Sequence, residues 1–146
     1  MLYFKKLLAK RSGSKKQIKR NNAAYSVDAT KVVVGYDKLK ELIHGIDKTQ
    51  HVLIDVREPV EVERGFIPTS KFIPLAEIES AFKLNDKDFF SNYHFEKPSI
   101  KTAIIFYCRS GARSMKALET VDSLNLGLRL LNYSGSWNEY HYKTFQ

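Results

Sequence analysis

The sequence predicts an α/β domain: a mainly parallel sheet of about five strands, with helices on both faces. Three observations lead there. Short runs of β-branched, aliphatic and aromatic residues alternate along the chain with amphipathic segments of helical period, the pattern of strand–helix–strand crossovers. Two of those runs, Val52 to Val56 and Thr102 to Tyr107, are apolar in almost every position, as parallel strands buried on both faces must be. The runs stop abruptly at charged or small residues, Arg57-Glu58 and Cys108 to Arg113, where a loop feeds the next helix. The chain's 146 residues suit a single domain with a proper core.

Taken in order, the chain opens with residues 1–27, which hold eight basic side chains and no acidic one. Residues 28–146 carry the other 16 basic and all 16 acidic groups, so the net charge of +8 belongs to the leader and the body is neutral. No basic stripe on the body points to a nucleic-acid surface. On a helical wheel Tyr3, Phe4, Leu7 and Leu8 share one arc while Lys5, Lys6 and Lys10 face away. A basic, amphipathic, acid-free leader has the make-up of a mitochondrial transit peptide, which places the domain at 28–146 and the protein in the mitochondrial matrix. The alternative is a basic tail that binds phosphate-rich surfaces nonspecifically. No apolar run is long enough to span a membrane.

Val32 to Val34 reads as a first strand. Tyr36 to His44 reads as a helix with Tyr36, Leu39, Leu42 and Ile43 on one face, ended by Gly45. Val52 to Val56 is a second, buried strand. Pro59 suits the first turn of a short helix through Arg64. Lys71 to Ile73 is a third strand, and Pro74 separates it from a helix around residues 76–82. Asp86 to Tyr93 is a further helix. Thr102 to Tyr107 is the central strand, and Ser114 to Leu124 is a helix with Met115, Leu118, Val121 and Leu124 at helical spacing. A last strand over Leu128 to Tyr133 and a terminal helix from Trp137 complete the pattern.

The chemistry concentrates between the central strand and its helix, at Cys108, Arg109, Ser110, Gly111, Ala112 and Arg113. A strand, a tight loop and a helix start in that order make an anion cradle, because loop amides and the positive helix end converge above the strand's carboxyl end. The one cysteine of the chain sits at the mouth of that cradle. At a helix N-terminus beside arginines its pKa falls and the nucleophilic thiolate becomes available. Arg109 and Arg113 lie where a helix dipole disfavours cations, which points to an anion for them to meet; the other reading for Arg113 is an ion pair with an acidic residue such as Asp55 or Glu58.

The loop resembles the C-x-x-G-x-R active-site loop of rhodanese-like single-domain sulfurtransferases. Asp55 to Pro59, Glu61, Gly65 to Pro68 and Phe72 to Pro74 are similar to the D-V-R-E-P-x-E…G-H-I-P…N-I-P block of that family. Tyr133 to Tyr140 resembles its closing Y-x-G-(G/S)-x-x-x-W segment. The resemblance runs from about Val32 to Tyr142. It departs at Phe66, Ser70 and Phe72, where histidine, alanine and asparagine are common, at Leu126-Gly127, where the glycine is displaced by one, and at Tyr140, where tryptophan is usual.

The resemblance implies a rhodanese-like fold and a thiosulfate or persulfide sulfurtransferase. Cys108 would carry the sulfur, residues 109–113 would bind the anionic donor, and cyanide, glutathione or another thiol would accept. Asp55 and Arg57 at a strand end could be catalytic, but the resemblance assigns them to bracing the fold near the loop, and a buried strand-end carboxylate needs a charged partner. Ser134 and Gly135, in the turn Ser134-Gly135-Ser136, read as part of the pocket rim. The resemblance implies no cofactor. Glu58 and Glu61 read as helix N-terminal charges rather than an acid/base pair. Trp137 and Tyr140 read as core anchors. The four histidines are scattered without metal-ligand spacing and no second cysteine completes a zinc site. Two rivals stay open: a thiol phosphatase or arsenate reductase of the same architecture, whose loop is longer by one residue, and a non-catalytic rhodanese-like module that binds a partner protein. The sequence leaves the oligomeric state open.

Overall fold

The computed structural model describes Asp28 and residues 31–146. The basic leader, read above as a transit peptide, lies outside the described residues. Five strands form one sheet: β1 (Val33–Val34), β2 (His51–Asp55), β3 (Lys71–Phe72), β4 (Ala103–Tyr107) and β5 (Arg129–Tyr133). Their order is β1-β5-β4-β2-β3, and every pairing is parallel. The helices are α1 (Tyr36–Ile43), α2 (Pro59–Glu63), α3 (Ile78–Lys83), α4 (Asp86–Tyr93), α5 (Ala112–Asp122) and α6 (Ser136–Thr144), with a 3-10 turn at Leu75–Glu77 leading into α3.

Strand periodicity sorts the core into two layers. Ile104, Phe106 and Cys108 face one side with Ile78, Phe82, Ala117, Leu118 and Val121, the apolar faces of α3 and α5. Ile105 and Tyr107 face the other with Leu39, Leu42, Tyr133 and Tyr140, the faces of α1 and α6. Cys108 therefore continues the row that packs against α5. The register sets Asp55 beside Tyr107 and Phe106 beside Asn132, so the carboxyl ends of β2, β4 and β5 line up under the loop.

Several boundaries differ from the sequence expectation. The helix after the loop begins at Ala112, not Ser114, because Gly111 takes a φ of +102° and acts as its N-cap; Arg113 is thus inside the first turn. The helix expected around residues 76–82 is split into the 3-10 turn and α3. The first, third, fourth and last strands are each one residue shorter than expected, and the second is displaced by one toward the N-terminus. Helix α4 has the expected bounds, and Asn85 caps it by accepting the Asp88 amide at 2.8 Å.

Candidate active site

The loop 108–113 folds around a sulfur atom. The Gly111 amide donates to Cys108 Sγ at 3.1 Å, and Ser114 Oγ lies 3.5 Å from it. Cys108 is only 1% exposed, so the thiol lies at the floor of the cradle and not at its mouth as the sequence suggested; the short loop turns its own amides inward over the sulfur. Arg109, Ser110 and Ala112 are exposed around the opening.

Gly111 makes this closure possible. A Cβ built there would stand 2.4 Å from the Ser134 carbonyl oxygen, so only a residue without a side chain fits between the loop and the 134–136 turn at that φ. Burial pushes the Cys108 thiol up. The Ser114 hydroxyl and amide and the amides of Gly111 and Ser110 bond to it and outweigh burial, leaving its pKa below the ordinary value. Hydrogen bonds are the largest causes of the depression, and the Arg113 charge faces the same thiolate.

Arg113 is committed elsewhere. Its Nη1 and Nη2 donate to Glu61 Oε2 and Oε1 at 2.8 and 2.9 Å, a two-pronged pair that fills the guanidinium fork. Glu61 Oε2 also accepts the Glu58 amide at 3.1 Å. The ion-pair reading of Arg113 therefore describes the structure, with Glu61 as partner rather than Asp55 or Glu58. Hydrogen bonding to Arg113, against the opposing effect of burial, holds the Glu61 carboxyl down at about 2. The bridge ties α2 to the first turn of α5 across 52 positions of sequence. Arg109 is exposed and, among the described residues, carries no ion pair in the structure.

Beneath the loop, Asp55 and Arg57 form a buried pair, 1% and 2% exposed. Arg57 Nε and Nη2 reach Asp55 at 2.9 and 2.7 Å, and Nη2 also donates to the Gly65 carbonyl at 2.8 Å. The Tyr107 phenol donates to Asp55 at 2.6 Å and accepts the Ile67 amide at 3.0 Å. Burial first, then the Asp55 charge, push the Tyr107 pKa up, so it remains a donor. The Arg57 guanidinium lies 5.0 Å from the centre of the Trp137 ring, which places the indole over a cation as well as stacked against Tyr140 at 6.1 Å. With every charge paired and bonded, this network joins β2, β4, the 65–67 segment and α6 into one floor.

Of the residues named from sequence, the structure brings Ser110 and Gly111 to the Cys108 sulfur, leaves Arg109 and Ala112 exposed beside it, buries Asp55 and Arg57 as a pair, and turns Arg113 to Glu61. In the turn, Ser134 is exposed with its carbonyl oxygen packed against the Cα of Gly111, Gly135 is half-buried, and Ser136 is buried. Tyr107, Ser114 and Asn132 join the site without being among the residues expected from sequence. A signal existed for Tyr107, the one hydroxyl in an otherwise hydrocarbon strand, and for Ser114, which directly follows the loop. Asn132 Nδ2 sits 3.5 Å from the Gly111 carbonyl. Among the described residues no His, Cys, Asp or Glu cluster is arranged to hold a metal ion, and no helix is long and apolar enough to cross a membrane.

Residues 36–143 match the rhodanese-like domain family. The chain belongs to that family. Among rhodanese-like relatives, a protein named putative thiosulfate sulfurtransferase, mitochondrial, from Schizosaccharomyces pombe is 46% identical over 61% of this chain. The match spans 62% of that relative's own length. A human protein named thiosulfate:glutathione sulfurtransferase is 36% identical over 60% of this chain and 76% of its own. The solved structure of a human single-domain sulfurtransferase superposes with a TM-score of 0.69 at 30% identity, covering 76% of this chain and 96% of that one. The rhodanese architecture of the structure, a five-stranded parallel sheet between helices, is thus common to both.

Proposed function

We propose that this chain is a single-domain sulfurtransferase that moves the outer sulfur of thiosulfate, through a persulfide on Cys108, to a thiol acceptor. One observation carries the reading: a lone thiol is held in a loop of inward amides at the start of α5, with Sγ 3.1 Å from the Gly111 amide.

In the first step the Cys108 thiolate attacks the sulfane sulfur of thiosulfate. The new S–S bond forms as the sulfur–sulfur bond of the donor breaks, and sulfite leaves with the electron pair. The anionic persulfide that remains sits among loop amides and at the positive end of α5. An acceptor thiolate then attacks the terminal sulfur, and Cys108 leaves as the thiolate, ready for another cycle. With one cysteine in the sequence no internal thiol can discharge the persulfide, so the acceptor is external. The name of the human relative supports glutathione in this role; cyanide would serve in an assay. The exposed Arg109 and the inward-turned loop amides meet the anionic end of the donor, and Arg113, held by Glu61, braces the loop.

The same bridge argues against phosphoryl transfer. Four residues separate Cys108 from Arg113, and the arginine fork that would clasp a phosphoryl group is already filled by Glu61. Retention of the cysteine argues against a purely protein-binding module. The acid-free leader and the mitochondrial name of the yeast relative support a mitochondrial location, with residues 1–27 as the import signal.

Intact mass after thiosulfate treatment tests the reading directly. The native protein gains one sulfur atom, and the gain disappears on adding glutathione. Cys108→Ser stays folded, gains nothing and loses thiosulfate:cyanide turnover. Turnover by the folded serine variant, or hydrolysis of an aryl phosphate without sulfur transfer, overturns it.

A further inference from the structure

Ser136 holds a backbone conformation that serine rarely adopts. Its φ of +55° lies in the left-handed region, where glycine enters freely and a Cβ is strained. The residue is also fully buried, at 0% exposure. Glycine would satisfy that backbone without strain. What serine adds is one hydroxyl, and the contacts of that hydroxyl lie at the nucleophile.

Ser136 Oγ accepts the Cys108 amide at 3.1 Å, donates to the Tyr133 carbonyl at 2.8 Å and lies 4.0 Å from Cys108 Sγ. Cys108 is one residue past the end of β4, so its amide bonds to this side chain where a strand residue would bond to a neighbouring strand. The next two amides of α6 continue the grip: Trp137 N–H donates to the Cys108 carbonyl at 2.9 Å and Asn138 N–H to the Arg109 carbonyl at 3.0 Å. Cys108 is therefore held at both of its backbone polar groups, the amide by a hydroxyl and the carbonyl by a helix start. A buried amide without its acceptor would turn to find another, and the direction of Sγ turns with it.

We propose that Ser136 is a positioning residue for the nucleophile: its hydroxyl fixes the Cys108 peptide so that the sulfur stays within reach of the loop amides. The proposal rests on the Cys108 reading above and adds the group that sets that residue's geometry.

Ser136→Gly and Ser136→Ala test it, because the single cysteine makes the ultraviolet thiolate signal report on Cys108 alone. In Ser136→Gly the thiolate titration midpoint rises by about one pH unit. Neutral-pH kcat/KM with thiosulfate falls roughly tenfold, through kcat with KM little changed. The melting temperature stays within a few degrees, because relief of the left-handed strain offsets the lost hydrogen bond. Ser136→Ala shows the same titration shift with a lower melting temperature, since it keeps the Cβ.

A glycine variant with a native titration curve and native kcat overturns the proposal, whatever its melting temperature. Failure of that variant to fold does so too, by making the hydroxyl a folding determinant. A wild-type protein that titrates normally but takes no sulfur from thiosulfate defeats the sulfurtransferase reading instead. The titration shift in the variants then still decides the role of Ser136.

Discussion

Replacing Arg113 with alanine separates a brace from a donor site. The Glu61 carboxyl is held at about 2 against an ordinary value of 4.5. Taken whole, a depression of that size would correspond to ~3 kcal/mol. The two side chains are 33% and 25% exposed, and solvent screening brings the contribution of the pair to ~1–2 kcal/mol. Against this, alanine removes a cation from the unfavourable end of α5, which returns about 0.3–1 kcal/mol. The net loss is roughly 1 kcal/mol, or a fall of about 3–5 °C in melting temperature for a domain of this size. The pH dependence follows from the lowered carboxyl. The stabilisation is fully present above the unfolded value near 4.5 and is lost as pH falls toward about 2. Wild type and Arg113→Ala therefore differ at pH 7 and converge across that acid window, and Glu61→Gln behaves likewise. Thermal melts at several pH values, with thiosulfate kinetics on the same preparation, make the measurement. The brace reading expects KM for thiosulfate within about threefold of native. Unchanged stability together with a 10- to 150-fold loss of kcat/KM, roughly what one charge-assisted contact to the donor is worth, refutes it.

Other perturbations have equally definite outcomes. Tyr107→Phe leaves the buried Ile67 amide and one Asp55 lone pair unmatched and lowers unfolding free energy by about 1–3 kcal/mol in a denaturant titration. Arg57→Leu strands the Asp55 carboxylate in the core and lowers it by ~3–5 kcal/mol; soluble expression with a native melting temperature would contradict the assignment. Gly111→Ala drives a Cβ into the Ser134 carbonyl at a φ that alanine avoids, so sulfur loading measured by mass drops at least tenfold even where the variant folds. Deleting residues 1–26 leaves activity and melting temperature unchanged and prevents import by isolated mitochondria; import of the truncated chain would show that the leader is no address.

What the sequence revealed divides by the range of the interaction. Strands β2 and β4 announce themselves because a strand covered on both sides is apolar in almost every position. The cysteine loop is legible for the same reason, being six consecutive residues. The floor of the site was hidden because its bonds cross the chain. Tyr107 meets Asp55 across 52 positions, and Ser136 meets Cys108 across 28. In the linear chain Tyr107 is one more bulky strand residue and Ser136 one more turn residue. The destination of Arg113 was hidden likewise: the dipole argument shows that the residue is out of place by itself, but only the packing of α2 beside α5 supplies the carboxylate.

On the proposed sulfur-transfer route, the depth of Cys108 makes the site treat donor and acceptor unequally. A donor has to carry its transferable atom to the floor of the loop, past Arg109, Ser110 and Ala112, so it has to be slender at the reacting end, as thiosulfate is. In the proposed persulfide the cysteine has grown by one sulfur, and the reactive atom stands about 2 Å further out. The second reagent needs only to touch that outermost atom, so its bulk can remain outside, whether it is a tripeptide or a thiol on another protein.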